Sequence, residues 1–230
     1  IACACAGIII GSVFVSGLGL KFTQSVIDLS GGVLFILLCL TAVSAIILGM
    51  GMTTTAVYIT VAALIVPSLI ESGIMPIAAH MFAFYFGVVS TITPPVALAS
   101  FAGAAIAKSP PMATAVESSK VGIAKYIVPF AFVYNPSLLM EGPIIWSIYS
   151  LISVLFAYWS MTLGLEGWFN GKLNVFKRIL AILSSVTLLV PPLQNIYGID
   201  GIYFNFLGIF ILMIIYYLQG KLNFNMKVTS

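Results

Sequence analysis

Two short polar stretches interrupt the long apolar runs of this chain, and their residue types suit the binding of ions and carboxylates. The first, Leu48–Ala56, holds two glycines and three consecutive threonines; the second, Ser90–Pro95, holds three hydroxyl residues and a proline pair. The flanking sequence carries no charged residue from Val33 to Ile70 or from Pro76 to Ala107. Glycine and proline both disfavour a continuous helix, so each stretch is predicted to break one.

Helices that break inside a membrane expose the chemistry of their ends. A helix start presents unpaired N–H groups, which suit an anionic substrate, and a helix end presents carbonyl oxygens, which suit a hard cation such as Na⁺. We predict a substrate site at two threonine-containing helix starts, with Thr93 as the N-cap of the second. Its residues are Thr53, Thr54, Thr55, Thr93, Pro94 and Pro95. We predict a Na⁺ site, held mainly by backbone carbonyls, at Gly49, Gly51, Ser90 and Thr91.

Each break also has a plainer interpretation, as an ordinary kink in a packed helix. Two breaks close together favour a shared transport site, because irregular backbone is rarely tolerated at membrane depth. Neither break contains an acidic residue, so a cation there depends on dipoles and carbonyls, and proton coupling stays an alternative. His80, the only histidine, is interpreted as an interfacial residue rather than a proton carrier.

The first break lies at the centre of a predicted re-entrant hairpin, Val33–Ile70. Its arms, Val33–Leu48 and Ala56–Ile70, each reach about 22–24 Å, less than the roughly 30 Å of the hydrocarbon core. We therefore expect the hairpin to enter and leave on one side, with its tip lining a cavity. A loop, Lys21–Gly32, is predicted to precede it.

The second break divides a predicted broken helix, residues 77–107, which is followed by a predicted span over residues 116–140. The fold class is all-α, a polytopic membrane protein with a re-entrant hairpin and a broken helix plus three C-terminal spans. Those spans are predicted at Ile144–Leu163, Arg178–Leu193 and Ile202–Leu218. We predict two domains, 1–140 with the hairpin and broken helix, and 141–230 as a C-terminal extension.

The composition identifies an integral membrane protein. Of the 230 residues, 61% are hydrophobic and 7% are charged, whereas soluble domains carry about 25% charged residues. The formal net charge of +3 is small and indicates loop bias rather than a nucleic-acid partner. The chain begins with Ile1 inside an apolar segment, so we expect N-terminal sequence to be missing.

Basic residues predict the orientation. On one side the predicted loops carry Lys21 as their only basic residue. On the other side they carry Lys108, Lys120, Lys172, Lys177, Arg178, Lys221 and Lys227. The positive-inside rule makes the second side, with the C-terminus, cytoplasmic in a bacterial inner membrane.

Enzymatic motifs are missing from the sequence. It has no His-Glu-x-x-His, no Gly-x-Ser-x-Gly and no phosphate-binding glycine loop, so we expect neither an enzyme nor a cofactor beyond a coupling ion. A channel-like protein or a scaffold subunit with no transport site of its own remains an alternative.

The two breaks, together with a third motif, carry a family resemblance. Leu48–Ala56, Ser90–Ala97 and Val128–Pro136 resemble the large membrane subunit of tripartite ATP-independent periplasmic (TRAP) transporters, most closely the fused permeases of the TAXI branch. The resemblance covers roughly Ile1–Met140, which is similar to the second half of that subunit. The last three spans resemble the C-terminal extension of fused permeases.

The resemblance implies an elevator-type symporter. In this family a periplasmic solute-binding protein delivers an organic acid, and an ion gradient drives its uptake into the cell. We therefore expect a TAXI-type solute-binding protein as a partner, together with the missing N-terminal half and the small-subunit region of the same permease. Other branches often carry an acidic residue after the tip glycine, where this chain has Met52 and Thr53, so Na⁺ and H⁺ coupling both stay open.

Overall fold

The computed structural model describes residue 8 and residues 11–12, 15–169, 171–196 and 198–228. Most of the predicted N-terminal helix therefore lies outside the described residues. The α-helices are α1 (Leu18–Ser30), α2 (Leu34–Gly49), α3 (Thr54–Glu71), α4 (Pro76–Val89), α5 (Leu98–Ala107), α6 (Pro111–Val121), α7 (Ile123–Tyr134), α8 (Ile144–Glu166), α9 (Val175–Leu188) and α10 (Gly201–Val228). A 3₁₀ turn spans Pro136–Leu139, and a two-residue antiparallel ladder pairs β1 (Asn195–Ile196) with β2 (Ile199–Asp200).

The predicted all-α polytopic membrane fold is confirmed. Among the described residues, three helical segments are long and apolar enough to cross a membrane: Thr54–Glu71, Ile144–Glu166 and Gly201–Gln219. Shorter apolar helices are α2, α4, α5 and α7. Large hydrophobic side chains are widely exposed, which is the surface that a lipid bilayer covers.

The chain packs as two compact units, Ile1–Val133 and Tyr134–Ser230. The 3₁₀ turn packs against α8 and so belongs to the second unit. The predicted domain division, 1–140 and 141–230, concerns the transporter half and its extension, and it stays a prediction.

A helix replaces the predicted loop Lys21–Gly32. This helix, α1, starts after Gly17 at φ +64° and ends at Gly31 at φ +57°, where glycine accepts the left-handed backbone without strain. Its buried residues Thr23, Val26 and Ser30 share one face at helical spacing, and the helix packs against α2 and α3. Its two charged residues led to the wrong loop assignment, although they sit on an otherwise regular amphipathic helix.

The hairpin forms as predicted in outline. Helices α2 and α3 pack together and are joined by Met50–Thr53, where Gly51 adopts φ +79°. The second arm begins at Thr54, earlier than predicted, and its 18 residues extend about 27 Å. Length alone therefore does not make this arm re-entrant, and entry from one side of the membrane stays a prediction.

The second segment is broken as predicted, but its break is longer. Helix α4 ends at Val89 and α5 begins only at Leu98, with Ala97 as its N-cap. Thr93 therefore does not cap the second half-helix. Its hydroxyl instead donates to the Val89 carbonyl at 2.7 Å, because a threonine can bond backward to the preceding turn as readily as forward.

The predicted span 116–140 is interrupted twice. Helix α6 ends at Val121, and α7 starts at Ile123 after Gly122. A Cβ atom on Gly122 would lie 2.7 Å from Ile92 Cδ1, so the break in the second segment packs directly onto this joint. Helix α7 ends at Tyr134, before Asn135-Pro136, because proline disfavours helical backbone in the preceding residue.

The second unit packs α9 against both α8 and α10. Ser153 donates to the Leu188 carbonyl and Ser160 to the Ala181 carbonyl, both at 2.7 Å. A Cβ atom on Gly164 would lie 2.7 Å from Ile182, which shows how closely α8 and α9 approach. Two of the three predicted C-terminal spans coincide with α8 and α10, whereas α9 has 14 residues, about 21 Å.

Candidate functional site

The two predicted breaks meet at Ser90. Its Oγ atom lies 3.0 Å from the Gly49 carbonyl oxygen, at the end of the first hairpin arm, and 2.6 Å from the Gly87 carbonyl oxygen in α4. Ser90 is fully buried. The structure therefore brings the end of α2 and the end of α4 into direct hydrogen-bonded contact, and the predicted proximity of the breaks is confirmed.

Glycine is required where these helix ends cross. A Cβ atom on Gly49 would lie 2.5 Å from Ser90 Oγ and 2.8 Å from Ser90 Cβ, distances that real Cβ atoms do not adopt. Val57, in the first turn of α3, packs against both Gly49 and Gly87. The ends of α2 and α4 and the start of α3 thus meet where only small or hydroxyl-bearing side chains fit.

The hydroxyl groups of the second break form hydrogen bonds with the carbonyl oxygens at the end of α4. Ser90, Thr91 and Thr93 place their hydroxyl oxygens 2.6–2.7 Å from the carbonyl oxygens of residues 87, 88 and 89. The Thr91 carbonyl accepts from the Ala99 amide at 3.0 Å. The carbonyls of residues 87, 88 and 89 at the end of α4 are therefore not free, because side chains of the break itself bond to them.

The predicted cation residues are only partly grouped. Gly49 and Ser90 are in contact, and Thr91 directly follows Ser90. Gly51 is exposed at the hairpin tip, and a Cβ atom there would lie 3.9 Å from Val96 of the second break. Of the four, only Gly49 and Ser90 are therefore shown in contact, and cation binding at Gly49, Gly51, Ser90 and Thr91 stays a prediction.

The predicted substrate residues form two groups. Threonines 53–55 are exposed at the start of α3, and no side chain caps this helix start, so its first N–H groups remain available to a ligand. Thr93 and Pro94 are half-buried and Pro95 is exposed in the second break. Within the described residues, no hydrogen bond joins the first group to the second.

Tyr126 and Ser119 complete the site, and the sequence analysis missed both. The Tyr126 hydroxyl lies 2.6 Å from Thr93 Oγ1, and the Ser119 hydroxyl donates to the Ile92 carbonyl at 3.0 Å. Ser119, Gly122 and Tyr126, the Ser119–Tyr126 face, are spaced i, i+3 and i+7 across the joint between α6 and α7. Charged residues lie among them in the sequence, so no polar pattern within an apolar segment marked them.

Charged groups play little part in this region. Lys120 and Glu117 form an ion pair at 2.9 Å, but their side chains are 62% and 60% exposed, so the pair contributes little. His80 is exposed, and its Nδ1 atom lies 3.0 Å from the Tyr58 hydroxyl. Among the described residues, no group of three or more histidine, cysteine or acidic side chains could hold a metal ion.

Comparison with known proteins assigns the family. Neither the curated proteins nor the solved structures include a match to this chain. The family model of the tripartite ATP-independent periplasmic transporter, DctM component, matches residues 1–147, which include both breaks and the Ser119–Tyr126 face. The chain therefore belongs to the DctM family, the large membrane component of TRAP transporters.

Proposed function

We propose that this chain supplies half of the transport site of an ion-coupled importer of organic acids. The family is one of secondary transporter components, and the chain is a multi-pass membrane protein. The observation that carries the proposal is the contact between the two breaks, Ser90 Oγ to the Gly49 carbonyl oxygen at 3.0 Å. Irregular backbone from two segments meets there, as is typical of transporter sites.

The start of α3 supports an anionic substrate. Thr53 is extended and threonines 53–55 are exposed, with no side chain capping the first N–H groups. A helix start of this kind offers several N–H donors and a partial positive charge to a carboxylate. We assign the substrate carboxylate to this helix start and place Thr93, Pro94 and Pro95 on the opposite wall of the site.

The cation site is proposed at the junction of α2 and α4. Gly49, Gly51, Ser90 and Thr91 supply only oxygen ligands, which hard cations prefer. The hydroxyl groups of Ser90 and Thr91 donate their hydrogens to carbonyls, which leaves the lone pairs of both hydroxyl oxygens to a bound Na⁺.

Delivery and location follow from the family. We propose that a periplasmic solute-binding protein of the TAXI type hands over the organic acid, that a small membrane component and the other half of the site complete the permease, and that the transport half moves as an elevator in the bacterial inner membrane. We place the C-terminus in the cytoplasm, where the loops gather the basic residues.

Uptake by the complete permease with its binding protein tests the proposal. We expect saturable accumulation of at least one radiolabelled mono- or dicarboxylate in membrane vesicles. Replacing Na⁺ with choline at constant pH abolishes uptake if Na⁺ is the coupling ion, whereas collapsing the pH gradient abolishes it if H⁺ is. Uptake that depends on neither gradient, or no uptake of any organic acid, contradicts the proposed function and favours a channel-like or scaffold role.

A further inference from the structure

Tyr126 contacts the second break through its hydroxyl, which lies closer to Thr93 Oγ1, at 2.6 Å, than to Ser119 Oγ, at 3.4 Å. Thr93 Oγ1 lies 2.7 Å from the Val89 carbonyl oxygen and 2.6 Å from the Tyr126 hydroxyl. A carbonyl only accepts, and a threonine hydroxyl has a single proton. Both bonds form together only if Thr93 donates to Val89 and Tyr126 donates to Thr93.

Ser119 holds the neighbouring residue from the same helix face. Its hydroxyl lies 3.0 Å from the Ile92 carbonyl oxygen and 3.1 Å from the Ala115 carbonyl oxygen. Between the two polar contacts, Gly122 leaves space that the Ile92 side chain fills. The joint between α6 and α7 thus contacts Ile92 and Thr93 at three points, through the hydroxyls of Ser119 and Tyr126 and through the Ile92 side chain packed at Gly122. We call these three contacts the clamp.

We propose that Tyr126 is a positioning residue for transport, which fixes Thr93 and the backbone of the second break. The inference rests on the proposed function, because there Thr93 lines the site. With its proton committed to Val89 and one lone pair committed to Tyr126, Thr93 Oγ1 offers the site one remaining lone pair. The clamp therefore presents Thr93 as an acceptor, which suits a cation or a donor group of the substrate rather than its carboxylate.

Removing the Tyr126 hydroxyl alone tests the clamp. Tyr126→Phe keeps the ring, and Thr93→Val keeps the shape of the partner. The matched control is Tyr85→Phe in α4, because the Tyr85 ring packs on Phe84 and Phe132 and its hydroxyl has no hydrogen bond among the described residues. Thr93→Ser retains the hydroxyl and serves as the rescue variant.

The first readout is hydrogen–deuterium exchange of the purified complete permease, which requires no transport. We expect peptides covering residues 90–99 to exchange about two- to tenfold faster in Tyr126→Phe, the effect of one lost neutral hydrogen bond. Thr93→Val, which also loses the bond to Val89, should exchange at least as fast, and adding Tyr126→Phe to it should change nothing further. Exchange equal to that of Tyr85→Phe, or fully additive effects, overturns the clamp.

The second readout is uptake kinetics, which a purely structural role does not shift in this way. At equal membrane abundance, we expect Tyr126→Phe to raise the half-saturation concentration of substrate or coupling ion about two- to tenfold with little change in maximal rate. Thr93→Ser, which keeps the hydroxyl, should raise the half-saturation concentration less than Thr93→Val does. If Tyr126→Phe alters hydrogen–deuterium exchange but leaves the uptake kinetics unchanged, the transport role of Tyr126 is overturned. A wild type that imports no organic acid contradicts the proposed function instead, and the exchange comparison still decides the clamp.

Discussion

At the scale of single residues, the junction depends on side chains that are small or bear one hydroxyl. Ser90 joins two helix ends, Gly49 provides the space for that contact, and Val57 packs beneath both glycines of the crossing. The sequence predicted a cation site that includes Gly49 and Ser90, and this stays a prediction. It did not identify their contact, because they are 41 positions apart and nothing local pairs them.

Replacing Gly49 with alanine should damage the junction. The new Cβ atom would overlap Ser90 Oγ at 2.5 Å and Ser90 Cβ at 2.8 Å, so we expect a loss of roughly 1–3 kcal/mol, as for overpacked cores. The thermal unfolding midpoint of the purified permease measures this loss. Gly103→Ala in α5 is the control, because a Cβ atom there meets nothing within 4 Å. Equal thermal unfolding midpoints for Gly49→Ala and Gly103→Ala contradict the close contact between Gly49 and Ser90.

The hydroxyl of Thr54 should matter for transport more than for folding. Thr54 is exposed at the start of α3, and we propose that its hydroxyl faces the substrate, so Thr54→Val removes that hydroxyl while keeping the shape. We expect uptake to fall about tenfold, which corresponds to one ligand hydrogen bond of about 1.4 kcal/mol, with the unfolding midpoint unchanged. Thr162→Val in α8, whose hydroxyl bonds only within its helix, is the control. Normal uptake by Thr54→Val removes this residue from the site.

At the scale of helices, the sequence predicted where the chain breaks better than how each break is stabilised. Glycine pairs and proline pairs oppose a helix wherever they occur, so both interruptions were foreseeable. The role of Thr93 was not, because a hydroxyl can bond forward to an N–H group or backward to a carbonyl, and tertiary contacts decide between them. Here Tyr126, 33 residues away, favours the backward bond.

The hairpin tip should be reachable by water. In a permease lacking its native cysteines, Thr54→Cys should react with a membrane-impermeant maleimide, because residues 53–55 are exposed. Ala45→Cys in α2 is fully buried and should stay unlabelled. Labelling from the periplasm, slowed by substrate, supports a re-entrant hairpin. Strong labelling from the cytoplasm in every state of the transport cycle means that the tip is an ordinary loop.

At the scale of the whole molecule, composition alone identified the membrane class, and the family model covers residues 1–147. The second unit was less predictable. The middle span was predicted at Arg178–Leu193, but α9 starts at Val175 and ends at Leu188. The Arg178 side chain donates to the carbonyls of Gly164 and Leu165. The charged Arg178, near the start of α9, therefore makes a contact between α9 and α8 rather than marking the edge of a membrane span.

Reporter fusions test whether this short helix crosses the membrane. Fusions after Lys172 and after Lys227 should both report a cytoplasmic location if α9 and α10 each cross. A fusion after Gly142 should report the periplasm and serves as the control, whereas a fusion after Gly198 reports the periplasm only if α9 crosses. Opposite locations for Lys172 and Lys227 would mean that α9 does not cross, and periplasmic signals at both would invert the predicted orientation.

The position of Ser90 between two carbonyls bears on how easily the hairpin separates from its neighbour. A serine has one hydroxyl hydrogen, so it satisfies either Gly49 or Gly87 fully, but not both at once. The Gly87 carbonyl oxygen lies 2.6 Å from Ser90 Oγ, and the Gly49 carbonyl oxygen lies 3.0 Å from it. The Ser90 hydroxyl therefore keeps a hydrogen-bond acceptor when the hairpin tip withdraws. Separation of the hairpin tip from α4 therefore costs less than one full hydrogen bond, and the Ser90 hydroxyl needs no new partner when the tip returns.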